Sequence, residues 1–425
     1  MLIPFVNRFL HWGAVGIVSP VLVLMVMSKG APLEGVGVVM AAMSIAAVAL
    51  ELPSGMLSDL LGRKRVYLAS LAISLAGYAL MLSARSMVAV CAAASIYGVA
   101  RAFSSGSIEA LYIDSFIERR GKERLPALMT AMGVGETLGL AVGALAGGFI
   151  PMLWARLAPS ADPYDGNLIA QTAIAVALFA LTALSSPVEA RRSGKATTLR
   201  SLAAGTAALV RDSPVVSRLL AGAVFWGVSF SAIEAYWQPR LGAVLGGAEA
   251  SWLFGLVGAL YFGAAIAGNA LAGVLLGRTG RVGGLAMAGV VRIAAGGAIL
   301  ALAAQGTAPG FVALFLTVMC CNGMMSVPEA TAFNAATPSG SRASMLSLSS
   351  LAVQAGGIVS SLLSSAALRV MPIRTVWLAA GALLLGSSAL YLGYGRRTRV
   401  PAGTAAEQDR SDAGNVESPE AELGA

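Results

Sequence analysis

The chain has 425 residues, of which 57% are hydrophobic and only 12% charged, and its formal net charge is +8 at pH 7. Ordinary soluble domains carry about 25% charged residues, so this composition excludes a soluble single-domain enzyme. A helix needs about 20 apolar residues to cross the hydrocarbon core of a bilayer, and this chain is long and apolar enough for about twelve such helices.

The positive charge does not indicate a nucleic-acid partner, because the basic residues lie in short loops between apolar runs and not on one face or in a basic tail. Three cysteines, Cys91, Cys320 and Cys321, fall in apolar stretches without a metal-ligand spacing, so we expect neither a disulfide framework nor a zinc site. The single histidine, His11, excludes HExxH metalloprotease chemistry. We expect no metal and no cofactor.

Apolar runs bounded by charged residues, proline or glycine predict twelve transmembrane helices. The first six cover 9–28, 34–57, 66–84, 87–108, 126–150 and 168–185. The second six cover 218–239, 251–275, 283–303, 310–333, 344–367 and 374–394. The predicted fold is therefore an all-α membrane protein with twelve helices in two six-helix bundles.

Two segments lie outside the predicted bundles 1–185 and 218–395. Residues 186–217 form the longest polar interruption between spans and predict a cytoplasmic linker. Residues 396–425 are rich in Glu, Asp, Ser, Pro and Gly. They offer too little apolar surface to offset the entropy of ordering the chain, so we expect a disordered cytoplasmic tail.

The distribution of basic residues predicts the orientation in the membrane. If the amino terminus lies inside, 21 of the 29 Lys and Arg residues fall on the inner side and six on the outer side. The positive-inside rule then places both termini in the cytoplasm, and we expect the protein in the cell (inner) membrane.

The loop after the second span repeats in the second half of the chain. It reads Gly55-Met-Leu57-Ser-Asp59-Leu-Leu-Gly62-Arg63-Lys64-Arg65, and Gly273-Val-Leu275-Leu-Gly277-Arg278-Thr-Gly280-Arg281 follows 218 residues later. The two copies share the spacing of Gly, Leu, Gly and Arg. Their equivalent places in two six-helix halves predict an internal duplication of the kind found in transporters.

The first copy resembles the GxLxDRxGR(K/R) signature of the major facilitator superfamily, and the six-plus-six layout extends this resemblance over about 390 residues. The resemblance implies a transporter that works by alternating access and uses this loop as a conformational latch. The latch residues would be Gly55, Asp59, Gly62, Arg63 and Lys64. In similar transporters an acid at the place of Asp114 pairs with the loop arginine. Alternatively, the basic loop only fixes topology.

Two further elements resemble the family less closely. Arg101 with Ser105-Gly106 resembles RxxQG, although the spacing is one residue longer and the Gln is absent. A charge within a span is costly unless it is paired or faces water, so Arg101 is expected to face the central cavity or to meet an acid.

The second element lies in the fifth span, where Gly139, Gly143, Gly147 and Gly148 resemble the GxxxGPxxGG element of antiporters. Ala144 replaces its proline. The resemblance favours export, but the same spacing is also typical of simple helix packing.

Two acids at membrane depth, Glu136 and Glu234, are the leading candidates for proton coupling, together with Arg101. A carboxylate in a span is costly to keep ionised, so it can exchange protons near neutral pH. The alternative is a carboxylate satisfied by a Ser or Asn of a neighbouring helix. Glu329 lies nearer the inner surface and is interpreted as a gate or loop-network residue.

A group of aromatic and polar residues in the second half is expected to line the substrate cavity. Aromatic side chains beside an acid are able to receive an amphipathic or cationic compound, although at helical spacing they also serve packing. The group comprises Trp226, Phe230, Tyr236, Trp237, Asn322 and Gln354.

The sequence therefore predicts a proton-coupled exporter of small amphipathic or drug-like compounds, similar to drug/proton antiporters. Its partners would be the substrate, protons and the lipid bilayer, and one chain suffices as a monomer. A proton-coupled importer on the same fold is the main alternative. An intramembrane enzyme using Ser104 to Ser107 with His11, or a sensor without transport, is less favoured.

Overall fold

The computed structural model describes residues 1–187, 210–211, 213–246, 251–336 and 342–392. Within these ranges the chain is helical and forms no β-strand. Twelve helical segments are long and apolar enough to cross a membrane. The prediction of an all-α membrane protein with twelve spans is confirmed.

Spans are numbered here in chain order. Spans 1 to 6 are Leu2–Ser28, Leu33–Glu51, Arg63–Ser83, Met87–Arg120, Lys122–Leu157 and Asp165–Ser185. Spans 7 to 12 are Pro214–Val244, Ser251–Gly277, Leu285–Ala304, Ala308–Phe333, Ser347–Ala367 and Ile373–Tyr391.

Several helices differ in length from the spans that they contain. Span 2 lies in the helix Val36–Leu61, and one long helix, Ser251–Ala304, contains both spans 8 and 9. Spans 10 and 11 lie in the helices Ala308–Ala336 and Arg342–Ala367. The helix of span 5 is Leu125–Leu157, and span 12 combines the helix Ile373–Ser387 with part of Ala389–Leu392.

Spans 1 and 4 each consist of two helices separated by a break. Span 1 consists of the helices Leu2–Val18 and Leu22–Ser28, joined by a 3-10 turn at Ser19–Val21. Span 4 consists of Met87–Ser104 and Ser107–Arg120. Gly106 between them has a φ of 67°, which glycine adopts without steric cost. Ser19 at the first break and Ser104 and Ser105 at the second face the interior of the first half.

Helix packing in the first half is repeated in the second. Span 5 packs on span 1 and span 4 on span 2, while span 11 packs on span 7 and span 10 on span 8. Glycines make the closest approaches: an added Cβ on Gly143 would lie 3.0 Å from the Gly16 Cα, and one on Gly356 would lie 3.0 Å from the Val228 nitrogen. This correspondence is what an internal duplication produces.

The two ends of the molecule are distinct. We call the end with the loop at residues 61–63 the signature end, and the end with residues 29–32 and 158–164 the far end. The halves meet near the far end, where Gly148 of span 5 lies against Gly255 of span 8. An added Cβ on Gly148 would lie 2.5 Å from the Gly255 Cα.

Hydrogen bonds join the halves in the same region. Gln238 of span 7 donates from Nε2 to the Ser19 carbonyl of span 1 at 2.8 Å, and the Ser365 hydroxyl of span 11 donates to the Glu34 carbonyl of span 2. Nearer the signature end, an added Cβ on Gly55 or Gly273 would meet nothing within 4 Å. The halves are thus closed together at the far end.

Two predicted segments lie outside the described residues, wholly or in large part. These are the disordered tail, 396–425, and most of the linker, 186–217. The bundle boundaries 1–185 and 218–395 also stay predictions.

Candidate functional site

A cavity of about 520 Å³ lies among spans 1, 2, 3, 4 and 6 and reaches span 7. Its size falls in the range of about 300–1,000 Å³ that is typical of small-molecule pockets. Its polar lining consists of Arg8, His11, Trp12, Ser19, Tyr78, Tyr97, Arg101, Ser104, Ser105, Glu109, Gln171 and Glu234. Among the described residues, no group of three or more His, Cys, Asp or Glu side chains is arranged to hold a metal ion.

Two opposite charges face this cavity from opposite halves. Arg101 lies in the last turn of the helix Met87–Ser104, and its side chain is accessible from the cavity. Glu234 of span 7 is the only lining residue that the described part of the second half contributes. The Tyr261 hydroxyl donates to its Oε1 over 3.5 Å, at the limit of a hydrogen bond. Within the described ranges, neither Arg101 nor Glu234 has an ion-pair partner.

Arg8, in contrast, is paired with acids from two other spans. Its guanidinium forms ion pairs with Glu136 of span 5 and, at 3.5 Å, with Glu109 of span 4. It also lies 5.7 Å from the centre of the Trp12 ring. Glu136, one of the two acids predicted to carry protons, is therefore held by a cation.

The six residues predicted to line the substrate cavity lie outside the lining of this cavity. Trp226 stacks on Phe230 with ring centres 5.9 Å apart, and its Nε1 donates to Asn322 Oδ1 at 3.2 Å. Tyr236 and Trp237 are buried by helix packing. Gln354 is half-buried in span 11.

The signature loop contains the ion pair expected from the sequence. Arg63 Nη1 lies 2.6 Å from Asp114 Oδ2, so the start of span 3 is tied to the signature end of span 4. Gly62 before it has a φ of 93°, a left-handed backbone that favours glycine. The role of this pair as a latch stays a prediction.

The other residues of the predicted latch differ in their surroundings. Lys64 donates from Nζ to the carbonyls of Ala183 and Ser186, each at 2.9 Å, and thereby ties span 3 to the end of span 6. Gly55 is open on its Cβ side. The side chain of Asp59 lies outside what the structure describes.

The glycines of span 5 face two different neighbours. Gly139, Gly143 and Gly147 lie against span 1 within the first half, and an added Cβ on Gly139 would lie 3.0 Å from the Gly13 nitrogen. Gly148 faces span 8 of the other half. One stripe of small residues thus serves packing within a half and contact between halves.

The second half contains a buried charge cluster centred on Arg292 of span 9. The Arg292 side chain is fully buried, and its Nη2 lies 2.7 Å from Glu329 Oε1 of span 10. Nη2 also donates to the Gly222 carbonyl at 2.8 Å, and Nη1 donates to Ser387 Oγ at 3.0 Å. The Tyr391 hydroxyl donates to the same Glu329 oxygen at 2.7 Å. These contacts join spans 7, 9, 10 and 12.

The family follows from the whole sequence. A sequence profile of the Major Facilitator Superfamily matches residues 5–359. The chain belongs to this superfamily. As a superfamily member with this fold, it is a multi-pass membrane protein that transports a small molecule by alternating access.

Solved structures of other transporters share the fold. One structure of the nucleoside transporter NupG, that of a point mutant, aligns with a TM-score of 0.78 and 14% identity and covers 92% of this chain and 99% of its own. A second NupG structure aligns with a TM-score of 0.76 and 15% identity and covers 93% of this chain and 98% of its own. A third structure is that of a bacterial homolog of the human lysosomal transporter Spinster in an inward-facing and unoccupied conformation. It aligns with a TM-score of 0.70 and 14% identity, and the alignment covers 93% of this chain and 96% of that homolog. A POT family peptide transporter aligns with a TM-score of 0.67 and 16% identity, and the alignment covers 93% of this chain and 97% of that transporter. None of the curated proteins matches the chain.

We expect Glu329→Gln to lower the thermal stability of this superfamily member. Removing one partner of a buried ion pair costs about 3–5 kcal/mol, because the remaining charge stays buried. The melting temperature of the purified protein in detergent measures the effect. The control is Glu123→Gln, since Glu123 is exposed in the turn Lys122–Arg124. Equal melting temperatures of the two variants would show that the Arg292 cluster does not stabilise the second half.

Proposed function

We propose that this transporter is a proton-coupled exporter of small amphipathic compounds, of the drug/proton antiporter kind. It works as a monomer in the cell membrane, with both termini in the cytoplasm. One observation carries the proposal: Glu234 faces the cavity, and no described cation pairs with it. Glu136 is the weaker candidate because it already forms an ion pair with Arg8.

The closed far end supports export from the inner side. The predicted orientation puts the far end outside the cell, since the signature end carries most of the basic loops. The contacts at Gly148, Gln238 and Ser365 then close the cavity to the exterior. In this state the cavity receives its substrate from the cytoplasm or the inner leaflet.

Competition for one carboxylate couples the two fluxes. On the inner side the ionised Glu234 attracts a positively charged group of the substrate. After the halves rock and the far end opens, a proton from outside neutralises Glu234 and releases the substrate. The protonated carrier returns and loses its proton to the cytoplasm. The proton gradient therefore drives the substrate outward.

A proton-coupled importer is the second candidate function. Two observations favour it: Ala144 replaces the proline of the antiporter element, and Arg101 is a second charge without an ion-pair partner among the described residues. Protonation of Glu234 would leave Arg101 as the dominant charge in the cavity, and an anion would then enter together with a proton.

Export is tested by imposed pH gradients in vesicles that contain the purified full chain in one known orientation. When the proton concentration is higher on the far-end side of the membrane, a lipophilic cation such as ethidium is expected to move from the signature end to the far end. Inverting the gradient is expected to invert the flux. Movement of ethidium in the same direction as the protons would favour the importer.

The latch has its own test in the signature loop. We expect Arg63→Gln to lower the transport rate about fivefold, because a partly exposed ion pair contributes up to about 1 kcal/mol to one conformational state. Asp114→Asn is expected to lower the transport rate by a similar factor. Arg65→Gln, which changes an exposed arginine of the same loop, serves as the control. Equal rates for Arg63→Gln and Arg65→Gln would leave the loop only a topological role.

A further inference from the structure

The charges that remain unpaired in the cavity have opposite signs and come from opposite halves. Arg8 forms ion pairs with both Glu136 and Glu109, so these three side chains together carry a net charge of −1. Arg101 and Glu234 are accessible from the cavity and lack an ion-pair partner within the described residues. Arg101 and Glu234 attract each other across the cavity. Charges at membrane depth without a close ion-pair partner nevertheless stay costly unless water or a ligand compensates them.

We propose that the substrates of this cavity are zwitterions with an apolar ring, whose amine meets Glu234 and whose anionic group meets Arg101. This inference rests on the proposed function and specifies its substrate class. A molecule with only a cation would leave Arg101 uncompensated, and a molecule with only an anion would leave Glu234 uncompensated. A zwitterion compensates both charges.

The rest of the cavity wall suits an apolar ring. Trp12, Tyr78 and Tyr97 line the cavity, and the Tyr78 and Tyr97 ring centres are 5.8 Å apart. Four methionines, Met25, Met40, Met43 and Met81, complete this wall. Methionine side chains adapt to different shapes, so the wall accepts rings of varied outline. Arg101 and Glu234 fix the orientation of the ligand.

The position of the charges also links substrate binding to the motion of the halves. Arg101 belongs to the first half and Glu234 to the second, so a bound zwitterion bridges the two bodies that move in alternating access. Protonation of Glu234 breaks one end of this bridge and leaves the other intact. The amine is therefore released before the anionic group.

The test compares three ligands that share a naphthyl ring and differ in charge. Naphthylalanine is the zwitterion, naphthylethylamine the cation and naphthylpropionate the anion. Their dissociation constants are measured by calorimetry on the purified full chain. Naphthylalanine is expected to bind about ten- to a hundredfold more tightly than the other two, as charge-assisted hydrogen bonds allow.

Substitutions at Arg101 and Glu234 test which of these residues binds which charged group of the ligand. Arg101→Gln is expected to abolish the preference for naphthylalanine over naphthylethylamine, and Arg101→Lys to retain most of it. Glu234→Gln is expected to abolish the preference for naphthylalanine over naphthylpropionate, and Glu234→Asp to retain most of it. If Arg101→Gln alone or Glu234→Gln alone abolished both preferences, the assignment of the anionic group to Arg101 and of the amine to Glu234 would be contradicted.

The outcomes separate this inference from the proposed function. Equal binding of naphthylalanine and naphthylethylamine, both weakened in Glu234→Gln, overturns the zwitterion and leaves a cation exporter. Equal binding of all three ligands, or binding of none, also overturns the inference. Proton movement linked to ethidium in vesicles tests the exporter independently of these ligands, with ethidium supplied at concentrations that offset the weaker binding expected of a cation.

Discussion

Replacing Glu234 by glutamine is expected to reduce proton-driven transport to the level of vesicles without protein. The amide has nearly the shape of the carboxyl group, but it neither binds a proton nor attracts an amine. Passive exchange of substrate between equal concentrations, high enough to saturate the weakened site, is expected to persist because the halves still rock. Uptake and release of labelled substrate, with and without a pH gradient, separate these two activities.

Glu136→Gln is the matched comparison, since it changes the other acid in the same way. Arg8 would lose one of its two acidic partners, and the loss of a charged hydrogen bond is expected to cost about 2 kcal/mol of stability. Proton-driven transport by the folded fraction is expected to persist. If Glu136→Gln abolished coupling and Glu234→Gln preserved it, Glu136 would be the proton carrier.

Adding a single methyl group at Gly148 is expected to open the far end. In Gly148→Ala the new Cβ would lie 2.5 Å from the Gly255 Cα and 2.6 Å from its nitrogen, so the two backbones must separate. Overpacking of this kind costs about 1–3 kcal/mol, which lowers the population of the far-end-closed state about 5- to 150-fold.

The reactivity of Ser365→Cys in a chain with its three natural cysteines replaced measures this opening. Ser365 is buried between the halves in the closed state, so its labelling by a thiol reagent is expected to accelerate in Gly148→Ala. Gly133→Ala changes a glycine of the same span that is open on its Cβ side, and its labelling rate is expected to match the parent. A lower melting temperature of Gly148→Ala with unchanged labelling would show that this contact stabilises the fold and does not gate the far end.

Hydropathy predicted the number and the approximate position of the spans because burial in a bilayer requires long apolar helices. It was less informative about their ends. The run 87–108 continues as a helix to Arg120 after the break at Ser105-Gly106, and the run 218–239 belongs to a helix that spans Pro214–Val244. These extensions are polar or mixed in composition, so an apolar window ends before the helix does.

The candidate site was only partly predictable, because hydropathy does not show which face of a helix meets a cavity. Glu234 lines the cavity, whereas Tyr236 lies about 200° around the helix and Trp237 about 300°. Both are buried. Proximity in sequence to an acid therefore did not imply proximity in space.

The sequence also did not predict which charged residues that are far apart in the chain form ion pairs. Arg8 has the pattern of a topology charge at the start of a span, and its partner Glu136 is 128 residues away. The Arg292 and Glu329 pair likewise joins two spans at a separation of 37 residues. A charged residue inside an apolar run was the available signal in each case, Glu136 in the first pair and Arg292 in the second, but the sequence does not identify its partner.

The proposed transport moves substrate and protons in opposite directions through competition at Glu234. Its most direct test records internal pH and labelled ethidium at the same time, in vesicles of one known orientation that contain the purified full chain. We expect ethidium leaving at the far end to be accompanied by protons entering there, and we expect Glu234→Gln to remove the proton signal. Protons and ethidium crossing in the same direction would contradict it.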